Sequence, residues 1–200
     1  MPTSPSQVEI INLALSHVAQ KPIVAITDSS PQAVAANRVW DLSLKDALRT
    51  GAPGFATAVI ALALSATYTP LHWEYAYAYP ANCLAMLKVY TEGTVDPARG
   101  EEFRELYDSV GNVKVIVANI EDAYGEYVYL INDPTLFDAS FVTALAYRLA
   151  ANLAVPLVGD KTLAESMDKK FITAASECAR LDSYEQNKPA QQKSKFLDAR

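Results

Sequence analysis

Imidazoles, thiols and paired carboxylates are the groups that could run chemistry near neutral pH, and in this sequence they are few and scattered. His17 sits among apolar helix-spaced residues, and His72 sits in a Pro-Leu-His-Trp turn. Neither belongs to an HExxH or HxH pattern, and Cys83 and Cys178 have no CxxC spacing, so no metal ligand set is predicted. The two thiols read as reduced, buried small hydrophobes of a protein made in the cytosol. GxSxG, P-loop and GxGxxG patterns do not occur. Gly51-Ala52-Pro53-Gly54 places a proline where a phosphate-binding loop needs amides, and reads as a helix stop. Two acids alone can run glycoside or proton-transfer chemistry, but nothing in the spacing of Glu101, Glu102, Glu121, Asp122 and Asp133 makes them converge. They read as solvated surface, so no catalytic residue, cofactor or metal is assigned. Trp73, Tyr75, Tyr77 and Tyr79 could stack bases or sugars. Without interleaved Lys or Arg, this series reads as core or as subunit interface.

The elements that must position these groups follow from capping and periodicity. Ser4-Pro5-Ser6-Gln7 predicts a cap, a proline at N1 and a glutamine at N3 for a first amphipathic helix of about sixteen residues. Ser30-Pro31 repeats the pattern for a second helix with Ala33, Asn37, Trp40, Leu44 and Leu48 on one stripe. Phe55 to Ala66 is ambiguous between strand and helix. Period-two alternation over Trp73–Pro80 predicts a strand with one aromatic face, and Leu84–Tyr90, Val113–Ala118 and Tyr127–Ile131 predict three more. Asp138 is a good N-cap for a helix over about 139–157, rich in alanine and bearing one charge, Arg148. A helix apolar all round must be covered all round, by its own fold or by a neighbouring subunit. Leu163, Met167, Phe171, Ala174, Cys178 and Leu181 then mark a last amphipathic helix. The polar run 187–195 is unlike a folding segment, and Phe196-Leu197 reappears beside the C-terminus.

The predicted fold class is therefore mainly α with an inserted small β block, an α+β arrangement. A helical bundle of N- and C-terminal pairs (4–50 and 138–186) carries a strand-rich insertion over about 68–132. One domain over 1–186 is followed by a flexible arm, 187–200. Composition agrees: 200 residues, half of them apolar, mean hydropathy +0.04 and a net charge of −6. The acidic balance argues against a protein that binds nucleic acid by neutralising many phosphates. The opening residues lack a positive n-region, and Phe55 to Ala66, about twelve residues, is short of the roughly twenty that a membrane span needs, so no membrane partner is expected.

The order of features along the chain resembles the phage head-to-tail connector family, the adaptors similar to tail tubular protein A that sit beneath the portal ring. The matching pieces are INLALSHVAQKPIVAITDSSPQAVAANRVWD from Ile11, WEYAYAYPANCLAMLKVY from Trp73, VANIEDAYGEYVYLINDPTLFDASFVTALAYRLAANLA from Val117, and the closing SKFLDAR. Departures are Gly54-Phe55, where many relatives carry a tryptophan, and Asn82, where they carry an aspartate. The resemblance implies a structural virion protein of the tail or neck, assembled in the host cytoplasm and without enzymatic activity. It implies a dodecameric ring, with neighbouring copies of itself as partners. The portal protein docks on one side and the tail nozzle or next adaptor on the other, with transient, non-specific passage of DNA.

A ring subunit needs two different complementary surfaces. The expected ones are the aromatic strand, with Trp73, Tyr75, Tyr77 and Tyr79, and the charge-poor helix, with Phe141, Leu145 and Arg148. The arm adds a third expectation: Lys193, Lys195, Phe196, Leu197 and Arg200 order on binding, with Phe196 and Leu197 anchored in a groove of the portal or the adjacent subunit. Two other classes stay open. One is a small helical ligand-binding protein or enzyme with an aromatic pocket around Trp73–Tyr79, and the other is a cytosolic partner-binding module unrelated to phage.

Overall fold

The computed structural model describes residues 5–92 and 100–186. The arm and its candidate contacts Lys193, Lys195, Phe196, Leu197 and Arg200 lie outside the described residues, as does Ser4, the expected first cap. Ser6 caps instead. Its hydroxyl accepts from the Glu9 amide while the Glu9 carboxylate accepts from the Ser6 amide, so α1 (Gln7–His17) begins on a reciprocal capping box. It runs for 11 residues, shorter than expected, because the chain turns through Ala19 at φ 53°. Helix α2 (Pro31–Gly51) starts as predicted, with Ser30 accepting from the Ala33 amide and Pro31 at N1. Its buried stripe is Ala33, Ala36, Trp40, Leu44, Ala47 and Leu48. Asn37 lies off that stripe, exposed, and donates to the Ile26 carbonyl at 2.7 Å.

Helix α3 (Ala139–Val158), capped at its end by Gly159 at φ 75°, is the axis of the bundle, packed against α1, α2 and α4 (Lys161–Gln186). Phe141, Leu145, Leu149 and Leu153 are at most 1% exposed. By length and composition α3 could cross a membrane, at mean hydropathy 1.6, but half of it is buried inside this fold. Its one charge is also satisfied within the chain. The Arg148 guanidinium makes ion pairs with Asp46 of α2 and Asp168 of α4 and lies 5.3 Å over the Phe171 ring. On α4 the buried face is Met167, Phe171, Ala175 and Cys178, while Leu181 is exposed.

The structure is α+β, as predicted, but the strand block starts earlier and is more elaborate than a flap. A single 3-10 turn, Gly54–Ala56, leads into β1 (Thr57–Ala61), so the Phe55 to Ala66 run is extended from Thr57 onward. The other strands are β2 (Tyr75–Ala78), β3 (Cys83–Thr91), β4 (Phe103–Asp108), β5 (Val113–Ala118) and β6 (Ala123–Tyr129). They form two antiparallel sheets of order β1-β6-β3 and β2-β5-β4. After Ala61 the chain crosses from one sheet to the other: the Leu62 amide donates to Ala123, and residues 63–65 then pair along β2.

The first sheet is sandwiched. Val128, Leu84, Leu87 and Tyr129 contribute to the bundle core, while Met86, Val89 and Tyr127 join Leu62, Tyr77 and Ile116 in a second core between the sheets. Gly125 permits this closeness, since a Cβ there would stand 2.9 Å from Leu62 and 3.1 Å from Met86. Asn82, in the turn between β2 and β3, has φ 59° and its carbonyl accepts from the Leu130 amide. That left-handed backbone is one that Asn adopts more readily than most residues. Phe55, Phe137 and Phe141 pack tilted or edge-to-face with centroids 5.1–5.8 Å apart, pinning the root of β1 to α3.

Leu145→Ala removes a fully buried side chain from the bundle axis and is expected to cost about 2–5 kcal/mol in denaturant unfolding. Val59→Ala, on the exposed face of β1, is expected to stay within about 0.5 kcal/mol of the parent. Equal losses in the two would contradict this assignment of core and surface.

Candidate functional site

The aromatic series does not form a single surface. Trp73 is half-buried in the turn before β2, and Tyr75 stacks on Tyr77 at 6.5 Å. Tyr77, expected at an interface, is 1% exposed and donates its hydroxyl to the Ile120 carbonyl, so it belongs to the second core. Neighbouring acids, Glu121 foremost, push the Tyr75 phenol up. Phe141 and Leu145, also expected between copies, are interior residues of one copy, because α1, α2 and α4 already cover the helix that carries them. Arg148 is partly exposed but ties three helices of its own chain together.

Tyr79 has a different environment. It borders an open groove of about 600 Å³ lined by Thr67, Tyr79, Pro80, Cys83, Lys114 and Val115 among others. The Tyr79 hydroxyl donates to Glu105 Oε1 at 3.2 Å, Lys114 Nζ lies 3.4 Å from Glu105 Oε2, and the same ammonium sits 5.0 Å over the Tyr79 ring. Strands β4 and β5 supply Glu105 and Lys114, and β2 leads directly into Tyr79. Burial, then Cys83 and Glu105, pushes the Tyr79 phenol up, and burial pushes the Cys83 thiol up. Near neutral pH the groove therefore holds a phenol and a thiol rather than their anions. Its groups can bind and orient, but neither is set up as a nucleophile.

His72 is exposed in the turn before β2, whereas His17 stands on the bundle. His17 stacks on Tyr147 at 4.6 Å, and Lys170 lies over the same Tyr147 ring at 5.7 Å. Burial, and then Lys170, lowers its pKa. Asp133 accepts from the amide and hydroxyl of Thr135, capping a 3-10 turn. Glu101 and Glu102 are exposed. Among the described residues no group of three or more His, Cys, Asp or Glu is placed to hold a metal ion.

What the sequence reading missed is β4 and everything that depends on it. Gly111-Asn112, with Asn112 at φ 53°, is the turn signal that could have found the β4–β5 hairpin. Asp108 ends β4, 2% exposed, and clamps the hairpin to the preceding crossover: its carboxylate accepts from Thr67 Oγ1 at 2.7 Å and from the Val110 amide at 2.9 Å. Elsewhere on the second sheet and its crossover, large apolar side chains are exposed: Leu71 at 89%, Val110 at 88%, Leu64 at 65% and Tyr107 at 60%. No protein-family model matches this chain, and no curated protein matches it.

Hydrogen bonds from Thr67, Gly111 and Val110 hold the Asp108 carboxyl below the usual carboxylate range. A folded-state pKa below the unfolded value adds stability that is complete above the unfolded pKa and is lost as pH falls through the folded one. The wild type is therefore expected to lose stability on acidification through that window. Asp108→Asn should be weaker at about pH 7 and flatter across the window. Thermal midpoints and the Val110 and Gly111 amide shifts read this directly, and parallel acid limbs in the two proteins would contradict it.

Proposed function

We propose that this chain is a structural adaptor, a head-to-tail connector subunit that rings the underside of a phage portal, links it to the tail and lets DNA pass, without enzymatic activity. The observation that carries the reading is that large apolar side chains stand in solvent at several places on the chain. On the bundle they include Val24, Leu42 and Ile172 and, at the end of the charge-poor helix itself, Val155 and Val158; on the strand block they are Val59 and Ile60 of the β1 edge, and Leu64, Leu71, Tyr107 and Val110 of the second sheet and its crossover. A closed ring of identical subunits needs two unlike surfaces of this kind, and the partners in this reading are neighbouring copies, the portal and the next tail component. The net charge of −6 suits a channel wall that must not hold the phosphates of passing DNA.

The groove beside Tyr79 favours a second reading, a small ligand-binding protein. Mass photometry and negative-stain microscopy of the chain, alone and with portal rings from the same phage, separate the two. The adaptor reading expects rings, or stoichiometric capture on the portal. Leu71→Asp with Val110→Asp is expected to abolish capture while changing stability by less than about 1 kcal/mol. A monomer that ignores the portal and binds a metabolite in the Tyr79 groove would overturn it.

A further inference from the structure

Three of the four sheet edges carry some protection. Residues 63–65 pair along β2, the Glu101 amide donates to Val89 on β3 at 2.7 Å, and β4 carries Arg104, Glu105 and Asp108. Strand β1 has none of these devices. Its sequence is TAVIA, it pairs with β6 on one side, and among the described residues no backbone hydrogen bond reaches its other side. Val59 is 52% and Ile60 36% exposed. As consecutive strand residues they point to opposite faces, so the edge is uncharged and apolar on both faces. Such an edge is a template for an added strand.

We infer that this edge receives residues 194–198 from the C-terminal segment of a neighbouring copy, as an added strand with Phe196 and Leu197 beside Val59 and Ile60. Two features of the chain select this occupant. The first is where the described part ends. The Gly54 amide donates to Asp182 Oδ2 at 2.8 Å, so the last turn of α4 stands at the root of β1, and residues 187–200 continue from there. The second is the segment's own pattern: Ser194-Lys195-Phe196-Leu197-Asp198 has one consecutive apolar pair, which in a strand gives one side chain to each face, as Val59 and Ile60 do.

Residues 187–195 span roughly 30 Å when extended, a length suited to bridging to a second subunit. The neighbouring copy comes from the adaptor reading above; the strand site itself comes from the β1 edge.

The test adds a synthetic peptide of residues 187–200 to the full-length chain, without portal, and follows amide exchange at residues 57–61. Exchange there is expected to slow by about tenfold or more at millimolar peptide. The protection should vanish with Val59→Lys plus Ile60→Lys in the chain, or with Phe196→Ser plus Leu197→Ser in the peptide. Unchanged exchange at 57–61, or equal protection with those variants, overturns the site. Mixing a Val59→Cys chain with a Phe196→Cys chain, both in a Cys83→Ser background, is expected to give a disulfide between the two chains. If the chain carrying both substitutions closes only on itself, the neighbouring-copy assignment falls. Unchanged exchange at residues 57–61 in a chain that portal rings still capture overturns this inference and leaves the adaptor reading standing. Peptide protection in a chain that never recognises portal supports the strand site and removes the adaptor reading.

Discussion

Helix α3 needs cover on every side, and the rest of the fold is arranged to provide it. A twenty-residue helix with Arg148 as its one charge cannot stand alone in water, and α1, α2 and α4 cover it except towards its C-terminal end, where Val155 and Val158 are exposed. Arg148 survives at the bundle surface because Asp46 and Asp168 reach it from the two flanking helices. An exposed ion pair contributes little, but one guanidinium shared by carboxylates on two helices fixes their register. The Phe55, Phe137 and Phe141 cluster then hands this rigid frame to the root of the strand block.

The same constraint relocates the interaction surface. A charge-poor helix and an aromatic strand both suggest contact with other molecules when read as sequence, yet Phe141, Leu145 and Tyr77 are consumed inside one subunit. Exposed apolar side chains remain on both parts of the fold: Val59, Ile60, Leu71 and Val110 on the strand block, and Val24, Leu42 and Ile172 on the bundle. The Asp108 clamp gives the crossover and the β4–β5 hairpin a fixed shape, since Thr67 and the β4–β5 turn are held by one buried carboxylate. The Tyr79 groove is bordered by the same crossover, and burial keeps its phenol and thiol protonated near neutral pH.

Local signals were legible where one physical rule dominated. Ser30-Pro31, Asp138 and the apolar spacing of α4 located three helices, and Val113–Ala118 was read with its observed ends because a β-branched run interrupted only by Lys114 and bounded by turn residues has few other uses. The capping box at Ser6 was misread by two residues because Ser4-Pro5 imitates the same chemistry. Strand β4 was missed because Arg104, Glu105 and Asp108 look like a solvated loop when their partners on β5 and at Thr67 are far away in sequence. The burial of Tyr77, Phe141 and Leu145 was illegible for a related reason: periodicity says that a face is covered, and only the tertiary arrangement says by what. Nor could sequence alone bring together Tyr79, Glu105 and Lys114, which meet through strand pairing.

The account turns on which surfaces stay open in the free chain and close on assembly. Oxidative footprinting of side chains, in the free protein and in its complex with portal rings, reads this most directly. The account predicts that Phe141 and Tyr77 are equally protected in both states, and that Leu71, Tyr107 and Val110 lose reactivity on assembly. Free-state reactivity at Phe141 that disappears in the complex, with the strand block unchanged, would contradict it.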